Sequence, residues 1–216
     1  MQPATAMRRL FADTAAALGP DAPTLCTPWS VRDLLAHEIL RQSRPDALPG
    51  IGLPVEVLRR RTDAVQAGIA DDDFDRLVDR ARQGPPRWSP TRVPALDTLV
   101  NLAELAVHQE DMVRAQPGWE PGPSSHDEAT MASLWTAFRR AATLAYRSAP
   151  VGVVAVAPGH GRAAVRRPRP TSGTVVLRGT PLELLLHAFG RTGVSQVRVE
   201  GSDADVAALA GHTRAF

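Results

Sequence analysis

The chain has 216 residues, 44% hydrophobic and 22% charged, with a formal net charge of +2, which is the balance of a globular protein long enough to bury a substantial core. No apolar run approaches the roughly 18 residues that span a bilayer, and the start, MQPATAMRRLFADTAAALGPD, turns amphipathic around Asp13 without a cleavable apolar segment, so a cytoplasmic protein without a membrane partner is expected. Every basic residue is an arginine, the arginines are dispersed, and only 5% of residues are aromatic, which argues against nucleic acid as a partner.

The elements follow in chain order. A first helix is expected over residues 4–18, ending at Gly19-Pro20. A second begins near Trp29, where Ser30 and Asp33 fit a capping box ahead of an apolar run. The Pro- and Gly-rich stretch 44–54 breaks the chain. A third helical region, 55–83, is interrupted near residue 70, where Asp71 to Asp73 can cap a restart. After a loop at 84–94, a long helix is expected over 95–116 and another over 126–149. The pattern then changes. Residues 151–165 and 173–179 read as short strands joined by turns, 180–191 as a helix starting at Thr180-Pro181, 195–201 as a strand, and 202–212 as a capped helix. Helices first and strands later give an α+β protein, with a helical domain over 1–149 and a small C-terminal α/β domain over 150–216. The basic patch 162–170 is short and broken by prolines, and reads as a solvated turn.

The helix 95–116 poses the functional question. Its apolar positions Leu102, Leu105, Ala106, Met112 and Val113 define a buried face, yet Glu104 and His108 lie on or beside it, one turn apart. His37 sits among apolar neighbours in the second helix. If the two helices face each other, His37, Glu104 and His108 make a two-histidine, one-carboxylate set, a combination that suits zinc and leaves a position for water, thiol or substrate. Iron, nickel or manganese fit the same set. The alternative is a buried polar pair without metal. The single cysteine, Cys26, has no internal disulfide partner and reads, in TLCTPW, as a half-buried thiol rather than a nucleophile.

The run TPWSVRDLLAH at 27–37, followed about 70 residues later by NLAELAVHQEDMVRA, resembles the DinB-like superfamily, and more closely the branch typified by mycothiol-dependent maleylpyruvate isomerase. The resemblance covers nearly the whole chain, including 173–191 in the C-terminal domain. It implies an N-terminal DinB-like four-helix bundle followed by the small C-terminal α/β domain, with a divalent metal, Zn2+ being the best match, held by His37, Glu104 and His108. It implies that Arg191 reaches over the metal cleft to grip a small, anionic substrate, with a helix-end contact to exposed carbonyls as the other reading of that arginine. It also implies mycothiol as cosubstrate, activated as a thiolate for attack on a small electrophile, giving S-transfer or cis-trans isomerisation. The lysine-free composition fits a GC-rich actinobacterial source. A thiol-independent metal enzyme (hydrolase, lyase or cyclase) and a non-catalytic metal-binding protein stay open as alternatives.

Lesser expectations concern the neighbours. Trp29 and Asp33 match the family run but read as packing and capping, and Asp111 as a carboxylate that orients His108 or a surface residue. Arg114 reads as an ion-pair partner and His187 as a packed histidine, while His126, His160 and His212 fall at a helix start, a turn and a terminal segment.

Overall fold

The computed structural model describes residues 2–48 and 55–212, so that most of the proline- and glycine-rich break at 44–54 lies outside the described residues. The chain forms two compact units, Met1–Glu120 and Pro121–Phe216. The fold is mixed α+β, with helices mostly first and strands after. Among the described residues no helix is long and apolar enough to cross a membrane.

The first unit is helical. Helices α1 (Pro3–Leu18), α2 (Val31–Ser43), α3 (Glu56–Ala70), α4 (Phe74–Gln83) and α5 (Pro94–Val113) are joined by loops, with one 3-10 turn at Pro90–Arg92. Their starts are written in the sequence. Ser30 and Asp33 close a capping box on α2, Asp73 caps α4, and proline occupies the first turn of α1 and α5, where a missing N–H costs nothing. The interruption expected near residue 70 separates α3 from α4. Helix α1 packs along α5 and against α4, while α2 packs against α3 and α4. The apolar stripes supply Met7, Phe11, Leu34, Leu35, Leu40, Leu77, Leu102, Leu105 and Met112, all less than 2% exposed.

One buried ion pair joins α1 to α5. Arg8 donates from both terminal nitrogens to Asp97, at 2.8 and 2.6 Å, and Asn101 donates to the same carboxylate at 2.8 Å. Gly84, at the end of α4, makes room for this arginine: its φ is +74°, and a Cβ there would lie 2.7 Å from Arg8 Nε.

The second unit contains α6 (Glu128–Ala145), β1 (Gly152–Ala157), β2 (Gly161–Arg166), β3 (Thr174–Arg178), α7 (Pro181–Ala188), β4 (Arg198–Glu200) and α8 (Asp203–Ala210). Strand order is β2-β1-β3-β4, with β1 antiparallel to β2, parallel to β3, and β3 antiparallel to β4. The boundary between units falls before α6, whereas the pattern change in the sequence falls at residue 150. The reason is packing: α6 lies against α7 and β2, and buries Leu134, Trp135 and Phe138. Tyr146, fully buried, hydrogen-bonds through its hydroxyl to His187 Nδ1 at 2.6 Å, so that this histidine is packed inside the second unit.

Candidate metal centre

Helices α2 and α5 bring the expected donors together inside the first unit. His37 comes from the middle of α2, and Glu104 and His108 from successive turns of α5. One ligand atom from each lies within 4.8 Å of the others. The two imidazoles meet edge to face at 5.4 Å between centroids, and His108 Nε2 is 3.4 Å from Glu104 Oε2. In a tetrahedral zinc site with bonds of ~2 Å the donor atoms stand ~3.3 Å apart. The histidine–carboxylate edge is already near that length, and the other two edges are within 4.8 Å. Both histidines are buried, whereas the Glu104 side chain is 27% exposed and is the donor that solvent reaches.

The surroundings fix the orientation of each donor. Asp111, one turn beyond His108 on α5 and fully buried, places Oδ2 2.9 Å from His108 Nδ1. Gln66 of α3 places Oε1 3.3 Å from His37 Nδ1, while its amide donates to the Asp33 carbonyl at 3.4 Å. With each Nδ1 turned to a protein oxygen, each Nε2 is left for an ion, the arrangement that holds a ligand histidine in one tautomer. Arg41 stands between Glu38, at 3.2 Å, and Glu104, at 3.7 Å. Trp29 lies against the His37 ring at 4.8 Å between centroids, and Asp33 caps α2, so both act as packing and capping residues.

The charges follow from these contacts. Burial would raise the Glu104 carboxyl, but the hydrogen bond from His108 and the positive charges of Arg41 and the histidines outweigh it and hold the group at about 2. Burial, then the charge on His108, pushes His37 down to about 4. Burial acts in the same direction on His108, yet hydrogen bonds with Asp111, Cys26 and Glu104 overcome it and hold that imidazole well above its usual 6.5. Without a metal, then, His108 is an imidazolium between two carboxylates.

Cys26 is the residue that sequence reasoning passed over. Its Sγ is 3.1 Å from Asp111 Oδ2 and 3.9 Å from His108 Nδ1. Two hydrogen bonds put it there: the Leu25 N–H donates to the Asp111 carbonyl at 3.0 Å, and the Gln116 side-chain Nε2 donates to the Pro23 carbonyl at 3.0 Å. Nothing in TLCTPW announces a contact with a residue 85 positions away. Arg41 and Gln66 were equally silent, since arginine and glutamine on a helix are ordinary surface residues.

Most of the other residues named from the sequence belong to the second unit. Arg191 belongs to the second unit, past α7, where its Nη1 donates to the Phe189 carbonyl at 2.6 Å. Arg114 pairs with Glu110 and lies over the Trp119 ring. His126 precedes α6, His160 sits in the turn between β1 and β2 near Glu128, and His212 contacts the Ala145 carbonyl.

Two imidazoles and a carboxylate, buried on one side and open on the other, fit a divalent cation of the zinc type by their chemistry. No family model matches this chain, and no curated protein or solved structure matches it.

Proposed function

We propose that the protein is a metal-dependent enzyme of the DinB-like, mycothiol-dependent isomerase and transferase type, acting on a small anionic electrophile. The observation that carries the reading is the meeting of His37, Glu104 and His108 from two helices, with the histidines oriented from behind by Gln66 and Asp111. On this reading the metal-bearing helices belong to a DinB-like four-helix bundle. A divalent cation held there supplies acidity to a coordinated thiol, so that the sulfur is a thiolate at neutral pH.

The chain's own groups do the rest. Asp111 and Gln66 hold the Nδ1 edges of the two histidines, and Glu104 would neutralise part of the ion's charge while Arg41 holds the carboxylate. Thiolate attack on the electrophile forms the carbon–sulfur bond. Transfer ends there with loss of a leaving group, whereas isomerisation follows when rotation about the former double bond precedes expulsion of the same thiolate.

The test is elemental analysis followed by a thiol screen. Protein purified without added metal should carry nearly one zinc per chain, lost in the Glu104→Ala/His108→Ala double variant with circular dichroism unchanged. Turnover of small electrophiles should then require mycothiol. Absence of metal in wild type after reconstitution sinks the reading. Metal with thiol-independent turnover would instead favour a hydrolase, lyase or cyclase.

A further inference from the structure

The His108 ring has donors on both edges. On the Nε2 edge stand Glu104 and His37. On the Nδ1 edge stand Asp111 Oδ2 at 2.9 Å and Cys26 Sγ at 3.9 Å, these two being 3.1 Å from each other. A triangle with those three sides has a circumradius of about 2.0 Å, so the three atoms stand close enough together to share one ion at bond lengths of about 2.0 to 2.3 Å. A tetrahedral zinc site would set the sulfur about 3.5 Å from both the oxygen and the nitrogen, so Cys26 would move a few tenths of an ångström toward His108 and away from Asp111.

We propose that Cys26, Asp111 and His108 form a second metal position, selective for a thiophilic divalent cation such as Cd2+ or Zn2+ and occupied in alternation with the His37, Glu104 and His108 position. A neutral imidazole has one lone pair and one N–H. When Nε2 binds an ion at the first position, the Nδ1–H donates to Asp111. When Nδ1 binds at the second, the Nε2–H donates to Glu104. Each tautomer thus finds a carboxylate on the edge that is not ligating, which is the support a ligand histidine requires. Filling both positions would mean removing the ring's last proton, so one ion takes His108 from the other.

The donor types separate the two positions. Thiolate favours soft and borderline cations, whereas two imidazoles and a carboxylate also accept manganese and iron. Cys26 is half-buried and Asp111 fully buried, so the sulfur is the side from which an ion enters. Binding there forms metal–sulfur, metal–oxygen and metal–nitrogen bonds and releases the thiol proton and the Nδ1 proton to solvent, with no change of oxidation state. A thiophilic ion at the second position withdraws a ligand from the first and so opposes the proposed activity.

The chain has one cysteine, which makes the assay unambiguous. Metal-free wild type is titrated with Cd2+ while the sulfur-to-cadmium charge-transfer absorption is followed in the ultraviolet, and Cys26 alkylation by iodoacetamide is timed with and without Cd2+. The expected result is a band that saturates at one Cd2+ per chain, remains in Glu104→Gln, disappears in Cys26→Ser, and accompanies at least a tenfold slowing of alkylation. Wild type that takes up Zn2+ yet shows neither the Cd2+ band nor protection overturns this proposal and leaves the first metal position standing. Two bound Cd2+ per chain overturn the alternation. Both wild-type readouts stand even if Cys26→Ser fails to fold.

Discussion

Metal uptake at His37, Glu104 and His108 should release one proton at pH 7. Glu104 is held at about 2 and His37 at about 4, so both are already deprotonated. His108 is held well above 6.5 by Asp111, Cys26 and Glu104 against the effect of burial, so it still carries the proton that occupies its Nε2 lone pair. The sign follows. As pH falls the proton competes with the ion, and as pH rises through the His108 pKa the competition ends. Over a window from about pH 5 to 7, one proton corresponds to 1.36 kcal/mol per unit, so the metal Kd should rise about tenfold for each unit of acidification. The assay is isothermal titration of Zn2+ into the metal-free protein in buffers of different ionisation enthalpy, whose slope counts protons. Cys26→Ser should be used, so that no thiol proton enters the count. A slope near zero would mean that His108 is neutral in the free protein, and a slope near two that His37 is charged as well. Either would refute the picture of a single imidazolium between two carboxylates.

Three further outcomes are expected. Asp111→Asn should weaken zinc binding by roughly 10–100-fold with the fold retained by circular dichroism, because Asp111 orients His108 without ligating in the first position. Arg8→Ala should destabilise the first unit by about 3–5 kcal/mol in urea denaturation, since it strands Asp97 in the core, and Arg8→Met with Asp97→Leu should recover most of that loss. Tyr146→Phe should cost about 1–3 kcal/mol by removing the 2.6 Å contact with buried His187, read as a lower Tm with metal content unchanged.

The sequence was most legible where the signal is local. Ser30, Asp73, Asp127, Thr180 and Ser202 each accept from the backbone N–H three residues on, so helix starts could be read from single side chains. The pairing of Glu104 with His108 was legible because both lie on one helix at a four-residue spacing. His37 could be joined to them only by supposing that the two helices face each other, which a sequence does not state. The grouping of α6 with the sheet was hidden for a related reason: an apolar helical stripe tells that a face is buried but not against what. Cys26 was hidden most completely, since its position depends on the Leu25 to Asp111 backbone bond across the unit.

The formal charges around His108 argue for a divalent ion. Glu38, Glu104 and Asp111 supply three carboxylates within one cluster, and Arg41 with the His108 imidazolium supplies two positive charges. One negative charge is left over in a region where Glu38 is 1% exposed and Asp111 fully buried. Solvent screens such a residue poorly, and an uncompensated buried charge is costly. Exchanging the His108 proton for a divalent cation adds one net positive charge and brings the cluster to neutrality. A monovalent ion exchanged for the same proton leaves the deficit unchanged, and a trivalent ion overshoots it. The three carboxylates would therefore act as a charge filter at the first position, and the donor atoms would then choose among divalent cations by softness.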